Sequence, residues 1–287
     1  MKPDPDASPA ETVKDIPVAA LEDIAYLSRS ANRVQILDLL GVGPYTRREL
    51  GEVTGIARTT IGRITDEFEE RGWAERATGG DYVATSVGER VIAEFIPLVR
   101  AMDAIRRLGD DVAWLPIDEP PIGLDQFGDA TVQVSDRNDL VETLDYFTGK
   151  LRGVSEFYAL THLAPPVSFA QALHTDLHAG RLSVTCVLTA GCISYLRDHP
   201  DRRDRWGDCI DAGARVYRYR GDLPCSVFIF DETVLLRYGG DSQLQPDCVF
   251  VESDNEAVRS WAHDLIDSRQ EDATRIDVET FVDPPSA

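Results

Sequence analysis

The feature that most constrains this chain is the run TRRELGEVTGIARTTIGRITDEFEERGW at residues 46–73, which has the pattern of two short helices joined by a tight turn. Thr46 and Glu49 have the spacing of a capping box, in which each side chain accepts a hydrogen bond from the other residue's backbone amide. Gly55 suits the left-handed conformation that ends many helices. The apolar residues of this first half are Leu50 and Val53, expected on one face, and Ile56, expected in the core.

The second helix of this run is predicted to present two different faces. Its apolar residues recur at spacings of three and four, which predicts one buried stripe formed by Ile61, Ile64 and Phe68. The opposite face offers two cations, two hydroxyls and a residue without a side chain, namely Arg58, Thr59, Thr60, Gly62 and Arg63. Such a face suits the leading end of a helix that enters a DNA major groove. We therefore predict that it contacts DNA.

A β-hairpin is predicted directly after the second helix. The segments WAER (73–76) and YVAT (82–85) flank the turn 78–81, which contains Gly79 and Gly80 and favours positive φ. This hairpin would be a wing whose glycines lie against DNA. A plain helical hairpin with solvated charged faces is the alternative, but the order of capping box, glycine turn, periodic core and hairpin favours DNA binding.

The order of these elements resembles the winged-helix subclass of helix-turn-helix regulators, on the residues TGIARTTIGR (54–63) and the hairpin that follows. Thr85 is predicted to cap a long helix over residues 86–108, with Pro97 inside it. This helix resembles the linker and dimerisation helix of archaeal winged-helix regulators, which implies a homodimer; packing against a second domain is the alternative. Its apolar residues are Val91, Ile92, Phe95, Leu98, Val99, Met102 and Ile105.

A formal net charge of −21 is unusual for a DNA-binding protein. Only three of the 29 basic residues are lysines, and such an acidic, arginine-retaining composition resembles that of halophile proteins. Between residues 29 and 63, however, six arginines face three acids, a local balance of +3. Arg47 and Arg48 lie at a helix N-terminus and are therefore predicted to contact phosphate, with double-stranded DNA as the partner.

Nothing in the sequence indicates a membrane partner. No stretch approaches 18 consecutive apolar residues, and the N-terminal segment lacks the apolar region of a signal peptide. We therefore expect a soluble, cytoplasmic protein. The five cysteines contain no C-x-x-C pair, so buried reduced thiols are expected rather than a zinc site or disulfides, and no cofactor is predicted.

Beyond residue 126 the sequence predicts an α/β domain, because apolar strands alternate with helices. The predicted strands are 131–136, 156–163, 182–189, 214–220, 225–230, 233–238 and 248–253, and the predicted helices are 138–151, 168–178, 190–212 with a break at His199-Pro200, and 255–270. The expected organisation is a disordered tail (1–17), a winged-helix domain (18–85), a linker and dimerisation helix (86–109), a linker (110–126) and an α/β effector domain (127–282).

Two runs carry a second resemblance, GARVYRYRGDLPCSVFIFDETVLLR (213–237) and NEAVRSWAHDLI (255–266). They are similar to the middle and C-terminal region of archaeal regulators such as the filament regulator of methanogens, and more distantly to TrmB-type regulators. The resemblance implies a phospholipase-D-like α/β effector domain. Phospholipase-D chemistry requires an H-x-K motif, which this chain lacks, so the domain is expected to be non-catalytic.

The second domain is instead predicted to sense a small-molecule effector. Ligands collect at the carboxyl ends of sheet strands, which selects Thr161, His162, Thr189 and Arg220 as candidates. His174 and His178 have the spacing of two metal ligands on one helical face, but no third ligand lies near in sequence, so no metal is expected. The sequence thus predicts a sequence-specific DNA-binding transcription regulator. The alternative is a metabolite-binding protein or enzyme whose winged helix makes protein contacts.

Overall fold

A computed structural model describes residues 17–135, 140–238 and 248–282. The chain divides into two compact units, residues 1–99 and 100–287. The predicted disordered tail lies outside the described residues, apart from its last residue. Within the described part of the chain, no helix is both long and apolar enough to cross a membrane.

The first unit contains the predicted order of two helices, a tight turn and a hairpin. Its elements are α1 (Val18–Ser28), α2 (Ala31–Val42), α3 (Arg47–Thr54), α4 (Arg58–Glu70), β1 (Ala74–Arg76), β2 (Tyr82–Ala84) and α5 (Ser86–Leu108), which continues into the second unit. Both bonds of the capping box between Thr46 and Glu49 are present, and Gly55 ends α3 with a φ of 72°. The hairpin pairs β1 with β2 in antiparallel register. These predictions are confirmed.

The core of the first unit is built from the predicted stripe of α4. Ile61, Ile64 and Phe68 are fully buried, and Phe68 packs with the rings of Tyr26 and Trp73. Val53 was predicted to lie on the same face as Leu50. This prediction is wrong, because Leu50 is fully buried whereas Val53 is exposed. The helix α3 has only eight residues, and Leu50 is the one it buries.

The start of α5 is packed against Gly72 and Trp73, directly before the first strand of the hairpin. The Thr85 hydroxyl donates to the Gly72 carbonyl oxygen at 2.6 Å and accepts from the Gly88 amide at 3.1 Å, so Thr85 caps α5 as predicted. A Cβ atom on Gly88 would lie 1.9 Å from the Trp73 carbonyl oxygen. Because that oxygen belongs to the backbone, only a glycine fits here without a backbone shift.

Replacement of Gly88 by alanine should therefore destabilise the first unit by about 1–3 kcal/mol, the usual cost of forcing extra atoms into a packed site. The matched control is Gly41→Ala in α2, where the new Cβ atom would lie 3.8 Å from Ile92 in ordinary contact. That change should stabilise the unit by about 0.5–1 kcal/mol, because alanine favours a helix over glycine. Thermal unfolding of both variants measures the difference. Equal melting temperatures would contradict the close approach at Gly88.

The second unit is built on one mixed sheet. Among the described residues its strand order is β10-β6-β5-β4-β7-β8-β9-β3, with β4, β5 and β6 parallel and the other neighbours antiparallel. The strands are β3 (Thr131–Ser135), β4 (Glu156–Thr161), β5 (Ser183–Thr189), β6 (Arg215–Tyr219), β7 (Cys225–Phe230), β8 (Thr233–Tyr238), β9 (Cys248–Ser253) and β10 (Thr274–Ile276). The predicted α/β fold class is confirmed.

Helices cover both faces of this sheet. The helices are α6 (Leu140–Gly149), α7 (Val167–His178), α8 (Ala190–Asp198), α9 (Pro200–Asp211), α10 (Glu256–Glu271) and α11 (Val278–Val282). One face packs against α6, α7, α8, α9 and α11, and the other against α10 and the end of α5. Trp114 and Leu115 are buried on this second face, so they anchor the segment before the sheet as predicted. The helix break at His199-Pro200 is also confirmed.

Two features of the sheet differ from the sequence prediction. β9, the last strand predicted from the sequence, does not lie at an edge of the sheet; it pairs with both β8 and β3, so β3 forms the edge. At the other edge, β10 and the short helix α11 follow the last predicted helix and were not expected. β3 and β9 are far apart in sequence, and the pattern of each strand alone does not reveal its partner. The first residues of the predicted helix 138–151 lie outside the described residues.

Candidate nucleic-acid interface

A concave surface runs along the exposed side of α4 and continues onto the start of α3. We call it the α3–α4 surface; its residues are Arg47, Arg58, Thr59, Gly62, Arg63, Asp66, Glu67 and Glu70. The cations lie at its α3 side and over the first two turns of α4, whereas the acids lie toward the end of α4. The capping box fixes where α3 begins and Gly55 where it ends, and the short turn that follows brings α3 and α4 side by side.

Arg47 crosses α4 at Gly62. Its guanidinium lies beside Gly62, where a Cβ atom would be only 3.3 Å from Nη1. Its Nε atom donates to the Thr65 hydroxyl at 3.1 Å, and its Nη2 atom forms an ion pair with Asp66. Gly62, which was predicted to face DNA, is therefore buried beneath this arginine. The small residue makes room for Arg47, which carries its charge across the helix.

Arg63 belongs to a second network centred on Glu67. The Glu67 carboxylate accepts from the Tyr26 hydroxyl at 2.6 Å, from Arg63 at 2.7 Å and from Arg33 at 3.4 Å. The hydrogen bond from Tyr26, followed by those of the arginines, holds the pKa of Glu67 below its usual value. Arg33 also donates to the Tyr26 carbonyl oxygen at 2.7 Å. Arg33, on α2, therefore links α1 to α4 through these two hydrogen bonds.

Arg58 and Thr59 occupy the leading turn of α4 and are exposed. Within residues 17–135, 140–238 and 248–282, Arg58 forms no ion pair, unlike Arg47 and Arg63. It also lies at the helix N-terminus, where the helix dipole adds a positive partial charge. Arg58 is thus the arginine of this surface that offers its full charge to a ligand.

The β1–β2 hairpin, which is the predicted wing, contacts Arg47 through the ring of Tyr82. The guanidinium of Arg47 is 4.9 Å from the centroid of this ring, and that of Arg76 is 5.9 Å from it. Reciprocal backbone hydrogen bonds of 2.9 and 2.8 Å join Tyr45 to Tyr82. Gly80 takes a φ of 92° at the tip of the wing, where Arg76 donates to its carbonyl oxygen at 3.4 Å. Sequence reasoning missed Arg76, whose only signal was its place at the last residue before the turn.

The remaining predicted contact residues lie at the margins of this surface. Arg48 is exposed on α3 and pairs with Glu52 at 3.5 Å, and Gly79 is exposed in the wing turn. Thr60 is half-buried beside the core stripe of α4 and does not line the surface. The structure thus brings together Arg47, Arg58, Thr59, Gly62 and Arg63 and leaves Thr60 at the edge.

The electrostatic prediction needs a correction. The local balance of +3 was counted up to Arg63, but α4 continues through three acids that line the same surface. Three arginines therefore face Asp66, Glu67 and Glu70, and the formal charge of the surface is balanced. What remains is a separation of charge, with the cations at the leading end of α4 and the acids at its trailing end.

The candidate ligand residues of the second unit do not form one site. Thr161 is buried and shares a hydrogen bond of 2.8 Å with Ser226, and His162 lies 3.4 Å from the same hydroxyl. Thr189 instead caps α8 by accepting from the Cys192 amide at 3.3 Å. Arg220 is exposed beyond the end of β6. Because β4 and β5 are parallel, Thr161 and Thr189 both lie at the carboxyl ends of their strands. The Thr189 hydroxyl, however, is already engaged in capping α8.

The other potentially reactive groups of the second unit are two neighbouring histidines and the cysteines. The rings of His174 and His178 are 4.3 Å apart, and the described residues contain no group of three side chains suited to a metal ion. Cys186, Cys192, Cys209 and Cys225 are buried and reduced; the side chain of Cys248 lies outside the description. Burial raises the pKa of Cys192, Cys209 and Cys225 to about 12, so these thiols stay protonated.

Two solved structures show a weak likeness to this chain. The archaeal chromatin protein TrmBL2 is similar over 93% of this chain and 96% of its own, with 13% identity and a TM-score of 0.41. The phospholipase D family member Nuc from Salmonella typhimurium is similar over 52% of this chain and 99% of its own, with 15% identity and a TM-score of 0.36. Likenesses this weak carry no conclusion about binding or catalysis.

Comparison with protein families is more specific. No curated protein matches the sequence significantly. Residues 21–107 match the HVO_A0261 N-terminal domain, and residues 140–272 match the middle domain of the methanogenesis regulatory protein FilR1. The first match spans most of α1 to α5, and the second spans α6 to α10, which confirms the resemblance seen in the sequence. The chain therefore combines a segment similar to the HVO_A0261 N-terminal domain with a following segment similar to the middle domain of a regulatory protein.

Proposed function

We propose that this regulator binds double-stranded DNA sequence-specifically as a homodimer, and that its second unit senses a small molecule that changes DNA affinity. The recognition element is the α3–α4 surface, with the leading turn of α4 in the major groove and the wing beside it. The observation that carries the proposal is the exposed Arg58 at the N-terminus of a helix whose opposite side is fully buried.

The chemistry of this surface suits base and phosphate contacts in different places. Arg58 and Thr59 are side chains that donate hydrogen bonds to base edges in the major groove. Arg47 and Arg76 flank the Tyr82 ring and suit the phosphates on either side of the groove. Asp66 and Glu70 lie farther along α4, where they would repel phosphate and so fix which end of the helix approaches DNA.

Dimerisation is proposed through the exposed apolar stripe of α5. This stripe is Leu98, Val99, Met102 and Ile105, whose spacings of three and four form one seam along the helix. Glu94 lies one turn before the seam and Arg106 directly after it. In an antiparallel pair of two copies, the acid of one helix would lie near the arginine of the other. The occupant that fits this stripe is therefore a second copy of the chain.

The experiment that tests this function is selection of bound sequences from a random pool of double-stranded DNA by the purified full chain. We expect one recurrent motif made of two half-sites related by a dyad, because a two-fold dimer presents two identical recognition helices. Half-sites one helical turn apart, about 10 base pairs, would agree with two helices in successive major grooves. Selection should be done in potassium chloride at several concentrations, since phosphate contacts weaken with salt.

A pool that stays random after repeated selection would contradict sequence-specific binding. A single unrepeated motif would support recognition by α4 but contradict the dimer. The alternative of a winged helix used for protein contacts predicts the first of these outcomes. The selected motif also provides the operator on which the variants below are measured.

A further inference from the structure

The second unit contains a cavity of about 250 Å³ between one face of the sheet and the helices α6, α7 and α9. Native cores are close-packed and hold few voids larger than a water molecule. This cavity exceeds the roughly 150 Å³ of an engineered apolar cavity that takes up benzene. A space of this size is therefore large enough for a small organic molecule of roughly ten non-hydrogen atoms, by proportion to benzene.

The inner wall of the cavity is aromatic. Five phenylalanines and a tryptophan from different elements line it, namely Phe147, Phe157, Phe169, Phe228, Phe250 and Trp206. All six are buried, and Phe147 packs with Phe169 and Phe228 at ring distances of 4.5 and 4.9 Å. Aromatic rings favour stacked or edge-to-face contact with another ring. The wall therefore favours an aromatic ligand.

The cavity opens where its lining residues are partly exposed. These are the loop 163–166 after β4 and Arg237 on β8, whereas the remaining lining residues are buried. Arg202 of α9 donates to the Pro165 carbonyl oxygen at 2.8 Å and so ties this loop to the helix that carries Trp206. The opening thus has a defined rim, and Arg237 is the cation among the described residues that line it.

The polar groups of the lining select the charge of the ligand. The Thr161 hydroxyl accepts from the Leu163 amide at 3.0 Å and shares a hydrogen with Ser226, so it is already engaged. Cys186 is fully buried, and burial raises the pKa of its thiol, which stays neutral. Among the described residues that line the cavity, Arg237 is the charged one and none is a carboxylate. An amine would therefore lose hydration without gaining a partner, whereas an acid would meet a cation.

We propose that this cavity binds a compact aromatic carboxylic acid, with its ring between the phenylalanines and its carboxylate toward Arg237. This inference rests on the proposed sensing role and names the chemical class of the effector. The position also agrees with the rule that ligands bind beyond the carboxyl ends of parallel strands, because Thr161 ends β4.

The test is calorimetric titration of the full chain, without DNA, with phenylacetate, phenylacetamide and 2-phenylethylamine. These three probes share a ring and differ in charge. We expect phenylacetate to bind about tenfold or more tightly than the neutral amide, as for a hydrogen bond to a charged group, and the amine not to bind. Absence of binding by all three probes would overturn the ligand site. An amine that binds as tightly as the acid would overturn the proposed ligand class.

Two variants locate the site. Ala159→Leu places a larger side chain in the cavity and should abolish binding of phenylacetate without lowering the melting temperature; Ala190→Leu, at an exposed position of the same unit, is its matched control. Arg237→Gln should remove the preference for the acid over the amide and leave amide binding intact. Unchanged binding in Ala159→Leu, or an unchanged preference in Arg237→Gln, would overturn the assignment.

A further titration separates this inference from the proposed function. DNA affinity is measured with and without saturating phenylacetate on the selected operator. A change in affinity supports both the site and the sensing role. Binding of phenylacetate that leaves DNA affinity unchanged would support the site and contradict the sensing role. A protein that binds DNA but none of the three probes would contradict the ligand site and leave DNA recognition supported.

Discussion

Replacement of Arg58 by alanine should weaken binding to the selected operator about tenfold to a hundredfold, since an arginine that contacts a base contributes roughly 1–3 kcal/mol. Arg58 is exposed at the first residue of α4 and forms no ion pair within residues 17–135, 140–238 and 248–282. Its guanidinium could therefore contact DNA without breaking an ion pair within these residues. Fluorescence anisotropy with the operator and with an unrelated duplex measures the loss, which should be larger on the operator.

The other arginines of the α3–α4 surface should matter less individually. Arg63 is paired with Glu67 at 2.7 Å, and Arg47 is paired with Asp66, so each must exchange one partner for another when it contacts DNA. The net gain on binding is the difference between two ionic contacts. We therefore rank Arg58→Ala above Arg63→Ala and Arg47→Ala in its effect on affinity.

The matched control for Arg58 is Arg90→Ala on α5. Arg90 is an exposed arginine of the same unit, and its ion pair among the described residues is with Glu94 at 3.5 Å on its own helix. This variant loses the same charge at a site away from α4 and should bind the operator nearly as well as the parent chain. Equal losses in both variants would mean that charge alone matters. An unchanged affinity of Arg58→Ala would contradict recognition by the leading turn of α4.

The first unit was predictable because its signals are local. Thr46, Glu49 and Gly55 specify the ends of α3 by hydrogen bonds and backbone conformation within a few residues. What the sequence could not give was the pairing of side chains across the fold. The ion pair between Arg47 and Asp66 joins two helices and engages a cation that the sequence predicted to be available for phosphate.

The second unit was predictable in most of its elements, apart from β10 and α11, but not in its sheet order. Strand periodicity identified β4, β5 and the β7–β8 hairpin, whereas the pairing of β3 with β9 joins residues more than a hundred positions apart. The cavity could not be predicted for the same reason, because it too is formed by residues far apart in sequence. Its lining comes from α6, α7, α9 and five strands, and each phenylalanine taken alone has the pattern of an ordinary core residue. Of the four predicted ligand residues, Thr161 lines it.

Replacement of Val99 and Met102 by glutamate should convert the proposed dimer into a monomer and weaken binding to the two-half-site operator about a hundredfold or more, since linking two binding modules raises avidity by roughly 10²–10⁴. Val99 is 49% exposed and Met102 is 54% exposed on the stripe of α5. Glutamates there would set like charges against each other across a two-fold pair and bury them without partners. Sedimentation equilibrium measures the oligomeric state.

The matched control for these changes is Val167→Glu on α7. Val167 is 47% exposed, close to the value for Val99, and it lies on another helix. This variant should remain a dimer with parental affinity. Binding of the stripe variant to an isolated half-site should also equal that of the parent, because the recognition helix is untouched. A double-glutamate variant that stays dimeric would show that the interface lies elsewhere, and a loss of half-site binding would show that the stripe supports the fold of the first unit instead.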